Sequence, residues 1–243
     1  MTIINEYRNY INELVEQFNF GMVLENIDNF FEWRRKFYED LCEAGYQVCS
    51  GFCRAVIFHE DWDYVLKFTY NQDQMYDRDG KCLGGMDYCA NEAFVYEEAV
   101  KAGLADYFAE CIYLGQIGDI NFYLMTRCDC DEDRVYSGSC DAAFKSFCEF
   151  NGYDHTNASD EIYEEFHDQY CEDDDNIFDF AREQWGSIAD RVKSFCSEMG
   201  VNDIHCGNWG FLGEQLIIID YAGYGYGARM IAKNRGIAID ACY

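Results

Sequence analysis

Apolar positions recur at helical spacing through the first forty residues. Ile4, Tyr7, Ile11, Leu14, Val15 and Phe18 mark one face, Gly21 interrupts, and Leu24 to Cys42 resumes with Ile27, Phe30, Phe31 and Phe37. From Tyr46 the period shortens. Gln47–Val48, Arg54–Phe58 and Asp63–Thr69 read as three short strands, separated by Cys49-Ser-Gly-Phe and His59-Glu-Asp-Trp. A glycine-bearing loop at 80–85 precedes a predicted helix from Tyr88 to Ala102, which Gly103 ends. Strands at Glu110–Leu114 and Asn121–Thr126 follow. The spacing of Phe180, Trp185, Ile188, Val192 and Phe195 predicts one long helix from Phe178 to Met199. After a polar loop, Asn202 to Gly207, come a strand at Trp209–Leu212, a Gly-Glu turn and the strand Leu216–Ile219 running into Asp220. There is no internal repeat.

Charge divides the chain unevenly. Lys and Arg number 18 against 46 Asp and Glu, a formal net charge of −28 over 243 residues. The segment 127–180 holds 17 of those acids and three bases, hence half the net charge. Its densest runs are Cys128-Asp-Cys-Asp-Glu-Asp and Glu172-Asp-Asp-Asp, and it reads as a solvated, partly mobile insert. With 49% hydrophobic and 18% aromatic residues the chain is too apolar to be disordered. A folded polyanion of this strength repels nucleic acid and anionic membranes, so direct binding to either is not expected; a partner with a basic surface, or imitation of a polyanion, stays open.

Fourteen cysteines are scattered without a C-x-x-C pair, and the four histidines miss zinc-finger spacings. Reduced thiols packed as small hydrophobes in a cytoplasmic protein are expected. The N-terminal Met1-Thr-Ile-Ile-Asn-Glu-Tyr-Arg lacks an apolar signal core, and the longest aliphatic run is Leu216 to Ile219.

Four places hold residues that could do chemistry, and each alone has a bland reading. Lys67, in Tyr64-Val-Leu-Lys-Phe, could face solvent from its strand. Glu92 could be a surface glutamate. Asp203-Ile-His-Cys-Gly-Asn208 could be a turn whose side chains bond the local backbone, and Asp220 a strand-end cap.

Taken in order, these residues resemble the protein-kinase-like fold over roughly residues 45–225. Val48-Cys-Ser-Gly-Phe-Cys-Arg-Ala-Val-Ile is similar to a phosphate-covering loop with its flanking strands, and Val65-Leu-Lys67-Phe to the V-A-I-K strand. Asn91-Glu92 resembles the helix position that pairs with that lysine. Phe122-Tyr-Leu-Met125-Thr-Arg-Cys128 is similar to the strand entering an adenine-binding hinge. Asp203-Ile-His-Cys-Gly-Asn208 has the D-x-H-x-G-N form of the catalytic loop of aminoglycoside and choline kinases and of compact bacteriophage serine/threonine kinases. Ile217-Ile-Ile-Asp220-Tyr-Ala resembles the metal-binding D-F-G.

The resemblance implies an α+β, bilobal fold: an N-terminal helical extension (1–43), an N-lobe with a five-stranded antiparallel sheet (44–127), and a helical, truncated C-lobe (128–243) carrying the acidic insert (128–177). It implies ATP and Mg²⁺ as cofactors and Ser or Thr of a protein as acceptor, in the host cytoplasm if the chain is phage-encoded. Lys67 would contact the α- and β-phosphates and be held by Glu92. Asp203 would take the acceptor's hydroxyl proton, Asn208 and Asp220 would hold metal, and Ser50, Gly51, Phe52, Met125, Thr126 and Cys128 would line the nucleotide. His205 would pack the catalytic loop rather than act as a base.

This chain departs from the pattern in keeping Gly51 alone in the loop, Tyr221-Ala222 after Asp220, Asn202 where an arginine usually precedes the catalytic aspartate, and no A-P-E segment. Two other readings stay open at this point. One is a small-molecule kinase of the aminoglycoside or choline type. The other is a non-catalytic acidic protein that binds a basic partner or imitates a polyanion.

Overall fold

The computed structural model describes residues 3–18, 20, 27–50, 54–69, 87–117, 120–170, 177–201 and 203–222. The fold is mixed α+β. Among the described residues it has seven α-helices, a five-stranded antiparallel sheet and a separate two-stranded hairpin. The chain divides into two units, one comprising Met1–Glu98 with Ala109–Arg127, the other Ala99–Phe108 with Cys128–Gly225.

In the first unit, helices α1 (Ile3–Gln17) and α2 (Ile27–Glu43) precede strands β1 (Gln47–Ser50), β2 (Arg54–Phe58) and β3 (Tyr64–Thr69). Helix α3 (Tyr88–Ala102) and strands β4 (Cys111–Ile117) and β5 (Ile120–Thr126) follow. The strand order is β1-β2-β3-β5-β4, so β3 and β5 are central. Period-two alternation sends successive side chains to opposite faces. Ala55, Ile57, Leu66, Phe68, Phe122 and Leu124 form one core with Tyr7, Ile11 and Leu14 of α1 and Phe37 and Leu41 of α2. Each such large side chain contributes roughly 1.5–3 kcal/mol by leaving water. Phe20 knits this core, its ring centroid 4.8 Å from Phe37, 5.2 Å from Phe68 and 5.4 Å from Phe122. The N-terminal helices thus share the sheet's own core. The opposite face carries Lys67, Tyr123 and Met125, all buried, so β5 is apolar on both sides.

In the second unit, α4 (Glu132–Asn151) and α5 (Asp160–Tyr170) occupy the acidic segment, which the sequence presents as a solvated insert. Asp131 caps α4 by accepting from the Arg134 amide, Glu132 and Asp133 complement the helix dipole, and Gly152 ends the helix at φ 75°. Its buried stripe, Val135, Ser139, Ala142, Ala143 and Phe147, keeps helical spacing. The carboxylates take the other face, which is why charge density alone conceals the helix. Gly138 lets α4 approach closely: a Cβ there would lie 2.5 Å from the Phe180 ring.

The single helix expected over Phe178–Met199 is two, α6 (Ile177–Trp185) and α7 (Ile188–Met199). Gly186 adopts φ 65°, a left-handed conformation that ends α6, while the apolar stripe runs on across the break. Strands β6 (Trp209–Leu212) and β7 (Gln215–Ile218) form the hairpin. Trp209 stacks on Trp185 at 5.5 Å, and Trp185 Nε1 donates to the Leu216 carbonyl at 3.0 Å. No helix among the described residues is long and apolar enough to cross a membrane. Among the described cysteines, Cys89, Cys111, Cys148 and Cys196 are buried.

Candidate functional site

Lys67 does not face solvent. It lies on β3 opposite Val56 and Tyr123, and its ammonium donates to Glu92 Oε1 at 2.7 Å. The two side chains are 6% and 0% exposed. A buried carboxylate is tolerated only when paired, so Glu92, on the inner face of α3, requires this cation. Lys67 Nζ also contacts Met125 Sδ at 3.6 Å.

A second cation reaches the same atom, although the sequence reading assigned it no role. Arg54, the first residue of β2, places Nη1 3.0 Å from Glu92 Oε1. Its guanidinium lies 5.6 Å from the Tyr88 ring centroid. An arginine heading an otherwise apolar strand, Arg54-Ala-Val-Ile-Phe, was the available signal.

Asp87 fixes the start of α3 and so the height of Glu92 above the sheet. Its Oδ1 accepts from the Ala90 amide at 3.1 Å, an N-cap bond. Its Oδ2 accepts from the Tyr123 hydroxyl at 2.7 Å and from Asn121 Nδ2 at 3.0 Å. Burial, then the Asp87 charge, raise the Tyr123 phenol well above its usual range, so it stays a donor. Asp directly before a helical run is the sequence signal for this cap.

In the second unit, the loop Asp203–Asn208 closes on itself. Asn208 is buried, and its Nδ2 donates to the Asp203 carbonyl at 2.5 Å. Its backbone carbonyl accepts from the amides of Ile219 at 2.9 Å and Asp220 at 3.3 Å. Asn208 and Asp220, twelve positions apart in sequence, are therefore neighbours. With Nδ2 committed, Asn208 Oδ1 makes no hydrogen bond among the described residues. The Asp203 carboxylate is 61% exposed, with His205 Nε2 3.8 Å from Oδ1. His205 Nδ1 accepts from the Gly207 amide at 3.1 Å. His205 thus braces the loop.

Hard oxygen donors suit magnesium, and Asn208 and Asp220, joined through their backbones, carry an amide oxygen and a carboxylate of that kind. Among the described residues no three His, Cys, Asp or Glu side chains gather into a metal-binding group.

The remaining predicted residues fall as follows. Met125 is buried on β5 opposite Val65 and Cys111, and Thr126 donates its amide to the Glu110 carbonyl at 3.0 Å. Burial, then neighbouring Cys130, push the Cys128 thiol up to about 12. Next to it, Asp129 and Phe211 exchange backbone hydrogen bonds of 2.9 and 2.8 Å across Gly210. A Cβ on Gly210 would meet the Asp129 carbonyl at 2.8 Å. Ser50 ends β1 opposite Ala55. Gly51 and Phe52, the loop at 80–85, Asn202 and the run at 172–175 lie outside the described residues.

Comparison with protein-family models, with curated proteins and with solved structures finds no match to this chain.

Proposed function

We propose that the protein is an ATP- and Mg²⁺-dependent phosphotransferase of the protein-kinase-like kind, acting on Ser or Thr of a protein with a basic surface. The observation that carries this reading is the junction of Asn208 with Asp220, two residues picked out by motif that are joined by a backbone hydrogen bond, with no partner for the Asn208 amide oxygen among the described residues. The buried Lys67–Glu92 pair supports it independently.

Phosphoryl transfer needs positioning and charge neutralisation more than covalent help. In this reading Lys67 binds phosphate oxygens, and Glu92 stops the lysine from swinging away. Asn208 and Asp220 present oxygen ligands, and magnesium held there would neutralise charge developing on the transferring group. The acceptor oxygen bonds to the γ-phosphorus as the bond to the β–γ bridging oxygen breaks, and the hydroxyl proton passes to the Asp203 carboxylate. Asn208 fixes the backbone of Asp203, so the loop that carries the proton acceptor is set before the acceptor arrives. In a chain of net charge −28, local cations are needed to admit a nucleotide at all.

The test is thermal unfolding with ATP, with Mg²⁺ and with both, followed by labelled ATP offered to lysate proteins and to a panel of aminoglycosides and amines. The reading expects a shift that requires both ligands, and label in protein. Label in the small cations alone would replace the acceptor class. Absence of any shift would remove the activity.

A further inference from the structure

Arg54 and Lys67 converge on one oxygen atom, Glu92 Oε1, at 3.0 and 2.7 Å. Carboxylates outnumber cationic side chains 46 to 18 in this chain, so separate partners are in excess. Two cations drawn to a single, fully buried carboxylate oxygen is the reverse of what that composition favours. Like charges confined in a low dielectric repel, and an entering polyanion relieves the repulsion while the carboxylate keeps both in place.

The sheet sets the geometry. Arg54 lies two residues from Val56, which is opposite Lys67, so both side chains project from the same face. The Tyr88 ring, itself buried, supports the guanidinium from α3. Arg54 is also 16% exposed, enough for a ligand to reach the fork, and the fork geometry suits phosphate oxygens.

We propose that Arg54 and Lys67 form a twin-cation site for a polyphosphate chain, with Glu92 as their common anchor. The proposal rests on the phosphotransferase reading of Lys67 and adds Arg54 as a second phosphate ligand. It also explains how a loop whose one glycine is Gly51 can hold phosphates: a side chain supplies donors that backbone amides otherwise would.

The experiment uses inorganic tripolyphosphate, which carries the phosphates without a nucleoside, alongside ATP. Calorimetry on the full chain is expected to show tripolyphosphate binding that Arg54→Gln weakens by roughly ten- to a hundredfold, the equivalent of one charge-assisted hydrogen bond. Arg54→Lys, which keeps a cation on Glu92 but loses the fork, should fall between the two. A measurement on the unaltered protein guards against a misfolded variant: phenylglyoxal modification of Arg54, mapped by mass spectrometry, should slow when tripolyphosphate is present. No binding by the wild type, equal binding by Arg54→Gln, or equal Arg54 modification with and without tripolyphosphate would each overturn the twin-cation site. Tripolyphosphate binding without ATP binding would keep this site and remove the nucleotide reading. ATP binding without tripolyphosphate binding would do the opposite.

Discussion

Lys67 and Glu92 meet at 2.7 Å from a central strand and a helix 25 residues apart, with neither side chain appreciably open to water. Such a pair is conditionally stabilising: its desolvation cost offsets much of its attraction, but removal of one partner strands the other charge. Replacing Glu92 with Ala leaves Lys67 and Arg54 side by side without their shared counter-charge. The expected loss of unfolding free energy is about 3–5 kcal/mol by urea denaturation. A loss below about 1 kcal/mol, the scale of an exposed pair, would mean the carboxylate is not buried between them.

The two aspartates of the second unit should separate by readout. Asp220→Asn removes the charge of the proposed magnesium ligand, so it should weaken Mg-ATP binding as well as turnover. Asp203→Asn alters an exposed carboxylate outside that junction, and should leave nucleotide affinity near wild type. Isothermal calorimetry with Mg-ATP on both variants checks this. Equal affinity losses would place Asp203 among the metal ligands instead.

Gly138→Ala tests the packing of α4 on α6. The new methyl would sit 2.5 Å from the Phe180 ring, which is itself buried and has little room to yield. Overpacking of this kind typically costs about 1–3 kcal/mol. A melting temperature equal to wild type would show that the helices stand further apart.

Alkaline pH should destabilise the fold through buried thiols. Burial pushes Cys196 up to about 12 from an ordinary thiol value of 9.0. The unfolded chain releases that proton first, so stability is fully present below pH 9 and is lost as pH rises toward 12. Over that window Cys196→Ala should flatten the decline by up to about 1.4 kcal/mol per pH unit, even though its absolute stability is lower. Parallel slopes for the two proteins would contradict the burial of this thiol.

Much of the sheet unit was legible because its signals are local. Tyr88–Ala102 is bounded by Gly103 and matches α3, and the five strands lie where period-two alternation puts them. Burial was not legible: nothing in Tyr64-Val-Leu-Lys-Phe says which face of the sheet the lysine takes, and only the packing of α3 and Glu92 settles it. The acidic segment misled because its carboxylates outnumber the small residues of α4's buried stripe, Ser139, Ala142 and Ala143. Gly186 breaks a helix inside an unbroken apolar stripe, and periodicity is blind to a change of backbone direction that preserves the face. Arg54 meets Glu92 across 38 positions of sequence, a contact that no local pattern announces.

The most direct measurement is single-turnover transfer from γ-labelled Mg-ATP to protein serine and threonine, comparing wild type with Asp203→Asn in the same lysate. Magnesium-dependent label is expected with the wild type, and a rate lower by about 10²–10⁴-fold in the variant, the usual contribution of a positioned proton acceptor. No label with the wild type, or equal rates for both proteins, would contradict it.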